Sequence, residues 1–116
     1  MAGHSFDSAI PVVAVSNYAA SRSWYVNLLG EPAVEPETGT GEWAIGSSWL
    51  QVTEDPQRAG HSIAILGSTD VEEQVAACLA AGCSVSPIQD YGFIKLAELS
   101  DPDNNKLQIV QEIEGS

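Results

Sequence analysis

One unit of sequence grammar occurs twice in this chain, and the repetition limits the fold more than any single segment does. Ala9-Ile10-Pro11-Val12-Val13-Ala14-Val15 is a short continuous apolar run, the pattern of a strand buried on both faces. Asn17 follows as a helix N-cap, and from Tyr18 the pattern turns helical. Ala20, Trp24 and Leu28 recur at four-residue spacing, flanked by Tyr25 and Leu29, until Gly30 stops the helix. Ser62-Ile63-Ala64-Ile65-Leu66 then opens a second copy. Asp70 caps it, Val71, Val75 and Leu79 carry the apolar stripe, and Glu72 and Glu73 suit the positive end of the helix dipole. Gly82 terminates it, one residue earlier than the first copy would. The two units nearly superimpose, which marks an internal repeat.

Three strand candidates follow each unit. After the first helix, the prolines and glycines of Glu31 to Gly41 rule out a central strand, so an edge strand near Ala33-Val34 and a mobile loop are expected. Glu42 to Gly46 and Ser48 to Thr53 read as a hairpin with Leu50 and Val52 on one face and Trp49, Gln51 and Thr53 on the other. After the second helix the candidates are Ser84 to Ile88, Phe93 to Leu99 and Lys106 to Ile113. Asp101-Pro102-Asp103-Asn104-Asn105 joins the last two as a tight turn, and the turn decides which way Gln108 points.

The 116 residues suffice for one domain, made of module one at about 8–55 and module two at about 60–113. Sixteen acidic against four basic residues leave a net charge of −12, which excludes nucleic acid and anionic membranes as partners and suits a cationic small molecule. No apolar run is long enough to span a membrane, and Met1 to Ser8 lacks the basic-then-apolar pattern of a leader, so a cytoplasmic protein is expected. Cys78 and Cys83 are too few for a disulfide framework, and Cys78 reads as a small buried hydrophobe.

Three segments together resemble the vicinal oxygen chelate superfamily, which includes glyoxalase I, bleomycin-resistance proteins and extradiol dioxygenases. They are Val15-Ser16-Asn17 with Trp24-Tyr25 and Leu28-Leu29-Gly30; Ile63-Ala64-Ile65 with Asp70 and Ala80-Ala81-Gly82; and Asp101 to Ile109. The resemblance implies an α+β fold of two βαβββ modules forming a curved mixed sheet around a ligand cup, helices outside. It also implies a homodimer, with modules pairing within or between chains.

Metal-using members of that superfamily place ligands on the first and last strands of each module. Matched residue by residue, those positions fall on Ile10, Gln51, Ile63 and Gln108. Two hydrocarbons and two neutral amides without a carboxylate cannot replace water around a divalent cation, so no metal and no cofactor is expected. His61 shares a strand face with Ile63 and reads as a strand-entry or interface histidine. What remains is a binding pocket. Trp49 either stacks a planar or cationic ligand or closes the core. Gln51 and Gln108 either hold a ligand or bond each other and water. Thr53 shares their face, Glu98 lines the cup with Ile94 and Leu96, and Trp43 and Tyr91 form its rim. Trp24 and Tyr25 belong to the core, and Arg22 and Lys95 to a paired or solvated surface. No catalytic residue is assigned.

The sequence thus reads as a metal-free small-molecule-binding protein resembling the bleomycin-resistance, drug-sequestering branch, with a small organic ligand, cationic or aromatic. The alternative is a glyoxalase- or dioxygenase-type lyase or oxidoreductase with an atypical metal site, or with acid–base chemistry on Glu98 or His61.

Overall fold

The computed structural model describes residues 5–113, so the first four residues of the N-terminal segment read for a leader lie outside the described residues. The elements are β1 (Val12–Val15), α1 (Tyr18–Leu29), β2 (Val34–Glu37), β3 (Thr40–Ile45), β4 (Ser48–Glu54), β5 (Ile63–Gly67), α2 (Val71–Ala80), β6 (Gln89–Asp90), β7 (Ile94–Ser100) and β8 (Lys106–Glu112). This is strand-helix-strand-strand-strand, twice. The strands form two four-stranded sheets with matching orders, β1-β4-β3-β2 and β5-β8-β7-β6. In each, the module's first strand runs parallel to its last, and the other neighbours are antiparallel. Neither helix among the described residues is long and apolar enough to cross a membrane.

Both helices start as their caps dictate. Asn17 Oδ1 accepts from Ala20 N and Asp70 Oδ1 from Glu73 N, each at 3.0 Å. Each satisfies one of the four N–H groups a helix start leaves unpaired. Tyr18, Ser21 and Tyr25 of α1 are buried, as are Val71, Val75 and Cys78 of α2. The inward stripe on α2 steps by four and then three, which tracks the 3.6-residue turn. A constant step of four drifts off the buried face, and Leu79, expected inside, is 55% exposed. Ala20 is exposed for the same reason.

β2 takes the expected edge position, but where a loop is expected after Val34 the chain stays extended to Glu37. Its strand runs on through Pro36, which an edge position tolerates, and Arg22 pins it by bonding Glu35 at 2.9 Å and Glu31 at 3.0 Å. Lys95 is likewise paired, with Glu72 at 2.8 Å. Ser84 to Ile88 does not become a ladder strand. Pro87 lacks a donor, and the segment is tied to β7 by Ser86 N to Glu98 O (2.9 Å) and Glu98 N to Ser86 Oγ (2.8 Å). Only Gln89–Asp90 pairs as β6.

Trp43, expected on the rim, belongs to the core. It is 1% exposed, and its Nε1 donates to Gly30 O at 2.7 Å. Strand alternation explains this: Gly41, Trp43 and Ile45 point toward α1, whereas Thr40, Glu42 and Ala44 point away. Gly41 has no room for a side chain, because a Cβ there would collide with the Tyr18 hydroxyl and the Trp43 ring.

The Asp101–Asn105 turn joins the modules. Asn104 adopts φ 71, a left-handed conformation that Asn tolerates. Asp101 Oδ1 accepts from Asp103 N (2.9 Å) and Asn105 N (2.8 Å), an Asx-type closure. The fully buried Asn105 amide donates to Ala14 O on β1 (2.7 Å) and to Asp101 Oδ2 (2.8 Å). Its oxygen accepts from Gly60 N (3.0 Å) and Ser62 N (2.9 Å). Tyr25 OH reaches Asp101 Oδ2 at 2.6 Å from α1, and Ser16 N donates to Asp103 Oδ2 at 3.0 Å. Burial, and then the hydrogen bond to the Asp101 carboxylate, push the Tyr25 phenol far above its usual range, so it acts as a permanent donor.

Candidate functional site

The helices cover one side of the sheets, and alternation sends the remaining side chains to the other. On β4, Leu50 and Val52 are buried under α1, while Trp49, Gln51 and Thr53 face away. On β8, Leu107 and Ile109 are buried while Lys106, Gln108 and Val110 face away. On β7, Ala97 and Leu99 are buried and Ile94, Leu96 and Glu98 share the open side. The molecule measures 46 × 42 × 24 Å, a slab with one bare β face.

Along the middle of that face runs hydrocarbon. Val12 is 49% exposed, and Ile63 and Ile65 are 69% and 66%. These belong to β1 and β5, which meet at the seam between the sheets, where Ala14 N lies 3.4 Å from Ser62 Oγ. A cleft of about 460 Å³ opens where the β3–β4 hairpin meets β5, lined by Pro11, Ile45, Ser47, Trp49, Ile65 and Gly67 among others.

Beside the apolar band, each module presents the same row of three residues. Gln51 stands between Val12 and Glu42, and Gln108 between Ile65 and Glu98. Gln51 Nε2 donates to Glu42 Oε2 at 2.8 Å, and Gln108 Nε2 to Glu98 Oε2 at 3.1 Å. The glutamines therefore bond neither each other nor a distant partner; each is tied to a carboxylate on the adjacent strand. The residues opposite the glutamines are Val12 and Ile65, two places on from Ile10 and Ile63. And each glutamine does have a carboxylate beside it.

Glu42 is the functional candidate that sequence reasoning missed. A signal existed in the repeat: Glu42 stands in module one where Glu98 stands in module two. Reading it required the β3–β4 register, which is a tertiary fact.

The other candidates are placed as follows. Trp49 is 39% exposed on the bare face, beside the cleft. Thr53 Oγ1 lies 2.8 Å from Thr40 Oγ1, so these two hydroxyls satisfy each other. Tyr91 is 54% exposed at the β6–β7 turn, where its hydroxyl bonds Gln89 Oε1. His61 is exposed just ahead of β5. Trp43 lies on the opposite, buried side.

With one amide hydrogen committed to the glutamate, each pair offers the site chiefly acceptors: the Gln Oε1 and the second carboxylate oxygen. Such a pair receives N–H or O–H donors and favours positive charge. The pairs do not fit a metal within one chain. Hydrocarbon stands on the first strand of each row, and no group of three or more His, Cys, Asp or Glu side chains gathers among the described residues.

No family model matches the sequence, and a search of curated proteins finds no match. Solved structures do match. A glyoxalase / bleomycin resistance protein from Catenulispora acidiphila superposes with a TM-score of 0.85 at 24% identity, covering 91% of this chain and 98% of that one. An antibiotic-binding protein from Streptomyces sp. CB03234 gives 0.79 at 20% identity, over 95% and 98%. A bleomycin-binding protein complexed with bleomycin gives 0.74 at 20% identity, over 93% and 100%. The doubled strand-helix-strand-strand-strand unit, with both helices on one side and a bare β face on the other, is thus the glyoxalase/bleomycin-resistance fold.

Proposed function

We propose that this chain is a small-molecule-binding protein of the drug-sequestering kind, acting as a cytoplasmic homodimer whose second copy closes the bare face into a cup. The observation that carries this reading is the face itself. A hydrocarbon band on the two strands that meet at the seam is not a surface that a monomer leaves in water. Here it is flanked by two acceptor pairs and a half-exposed tryptophan, the composition of a pocket with apolar walls and a few directed polar groups. The fold neighbours whose printed names include bleomycin and antibiotic binding support a ligand of the same general kind. Buried free thiols at Cys78 and Cys83 suit a reducing compartment.

Two measurements test the proposal. Titration with bleomycin and with basic aromatic drugs should give a saturable change in tryptophan emission that Trp49→Leu removes, since Trp43 is shielded in the core and Trp24 sits on α1, packed against the core on the covered side of the sheets. No response across the panel would end the binding reading. Sedimentation should show a dimer, and Ile65→Asp should shift it to monomer. A glyoxalase- or dioxygenase-type enzyme would gain ground instead if protein purified without chelator held stoichiometric metal that Gln51→Ala or Gln108→Ala released.

A further inference from the structure

The two halves of the bare face match at the glutamine row and differ at the next one. Counting along the paired strands, Trp49 beside Ala44 in module one corresponds to Lys106 beside Ser100 in module two. An aromatic ring and a cation thus occupy equivalent places.

Lys106 is unusual in this chain for its partners. Of the four basic residues, Arg22, Arg58 and Lys95 each meet a carboxylate, at 2.9, 2.7 and 2.8 Å. Lys106 meets two neutral acceptors, Ser100 Oγ at 2.7 Å and Asn104 Oδ1 at 2.8 Å. No carboxylate among the described residues pairs with it. In a chain with sixteen acidic residues, a lysine without a carboxylate partner stands out. The two neutral contacts hold its position and occupy two of its three N–H groups without neutralising its charge. The left-handed turn residue Asn104 supplies one of those contacts, so the turn presets the ammonium.

Building on the binding function proposed above, we infer that Lys106 is the subsite for an oxyanion on the ligand, which is therefore an extended amphoteric molecule. Its aromatic end lies over Trp49, its N–H donors meet the Gln51–Glu42 and Gln108–Glu98 pairs, and its carboxylate-type group meets Lys106. Trp49 and Lys106 lie on opposite sides of the seam, on β4 and β8 with β1 and β5 between. With two strands and the seam between them, the ligand must be long and can bind in only one direction. A purely cationic ligand would leave Lys106 repelling it.

A matched pair of dyes tests this. Nε-dansyl-lysine and dansylcadaverine share an aromatic head, a pentyl-length chain and a terminal amine, and differ by one carboxylate. Wild type should bind Nε-dansyl-lysine about tenfold tighter, the scale of one charge-assisted hydrogen bond. Lys106→Met should erase that preference while leaving dansylcadaverine binding equal or stronger, and Lys106→Arg should keep much of it. Equal binding of both dyes by wild type, or a preference that survives Lys106→Met, overturns the oxyanion subsite and leaves the binding function standing. Failure of both dyes to bind overturns the subsite, and the binding function falls with it only if the bleomycin and drug panel is silent as well.

Discussion

Replacing Asn105 by alanine tests whether one buried amide holds the modules in the arrangement that makes the bare face continuous. The side chain is 0% exposed and satisfies all four of its hydrogen-bonding positions: Ala14 O, Asp101 Oδ2, Gly60 N and Ser62 N, at 2.7 to 3.0 Å. Truncation leaves Asp101 with Tyr25 and its own turn amides, but strips the partner from two backbone N–H groups and one carbonyl. An orphaned buried polar group costs roughly 1–3 kcal/mol. Gly60 and Ser62 are only half-buried, so water reaches part of the gap and the low end applies to them. The sum is about 3–4 kcal/mol, a large fraction of the ~5–15 kcal/mol that holds a domain folded. For a chain of this length that corresponds to a fall in Tm of roughly 10–15 °C. Thermal and urea unfolding followed by circular dichroism at one protein concentration would read it. The exposed loop substitution Gln57→Ala serves as a control and should stay within about 0.5 kcal/mol of wild type. A loss below about 1 kcal/mol for Asn105→Ala would refute the reasoning, since it would mean that the amide's partners are satisfied without it.

Three further outcomes are expected. Asn17→Ala and Asp70→Ala should each cost about 1 kcal/mol in urea unfolding, because each removes the side-chain acceptor of one helix start. The Tyr18 phenol, pushed up from 10.0 to about 12 by burial and then by the Glu35 carboxylate, stays protonated in the folded chain over a range where the unfolded chain ionises. Its contribution to stability is therefore complete below pH 10 and lost as the pH rises toward 12; an alkaline absorbance titration should show this step, and Tyr18→Phe should remove it. Glu98→Gln and Glu42→Gln should weaken binding of dansylcadaverine several-fold each without changing the melting temperature by more than a few degrees, since both carboxylates lie on the open face; unchanged affinity in both would mean that the pairs do not meet the ligand's amine.

Local chemistry is legible in the sequence alone. Asn17 and Asp70 act as caps, Gly30 and Gly82 carry φ values of 85 and 92 at the helix ends, and the Asp101–Asn105 segment turns as its residues require. These depend on neighbours within a few residues, so the chain specifies them itself. The faces of β4 and β8 were equally plain, because alternation is a property of one strand: Leu50, Val52, Leu107 and Ile109 go in, and Trp49, Gln51, Gln108 and Thr53 go out.

Tertiary structure decided what stands next to what. Trp43, expected on the rim, is buried by its strand parity against α1. Glu42 and Glu98 became partners of Gln51 and Gln108 only through the registers of β3 on β4 and β7 on β8, and the registers of β1 on β4 and β5 on β8 set Val12 and Ile65 across from those glutamines. Lys106 acquired meaning from which carboxylates failed to reach it. Register is fixed between strands distant in sequence, and a slip of one residue would turn every one of these side chains to the other face. The repeat, the caps and the turn belong to the sequence; the pairs that give the open face its chemistry belong to the fold.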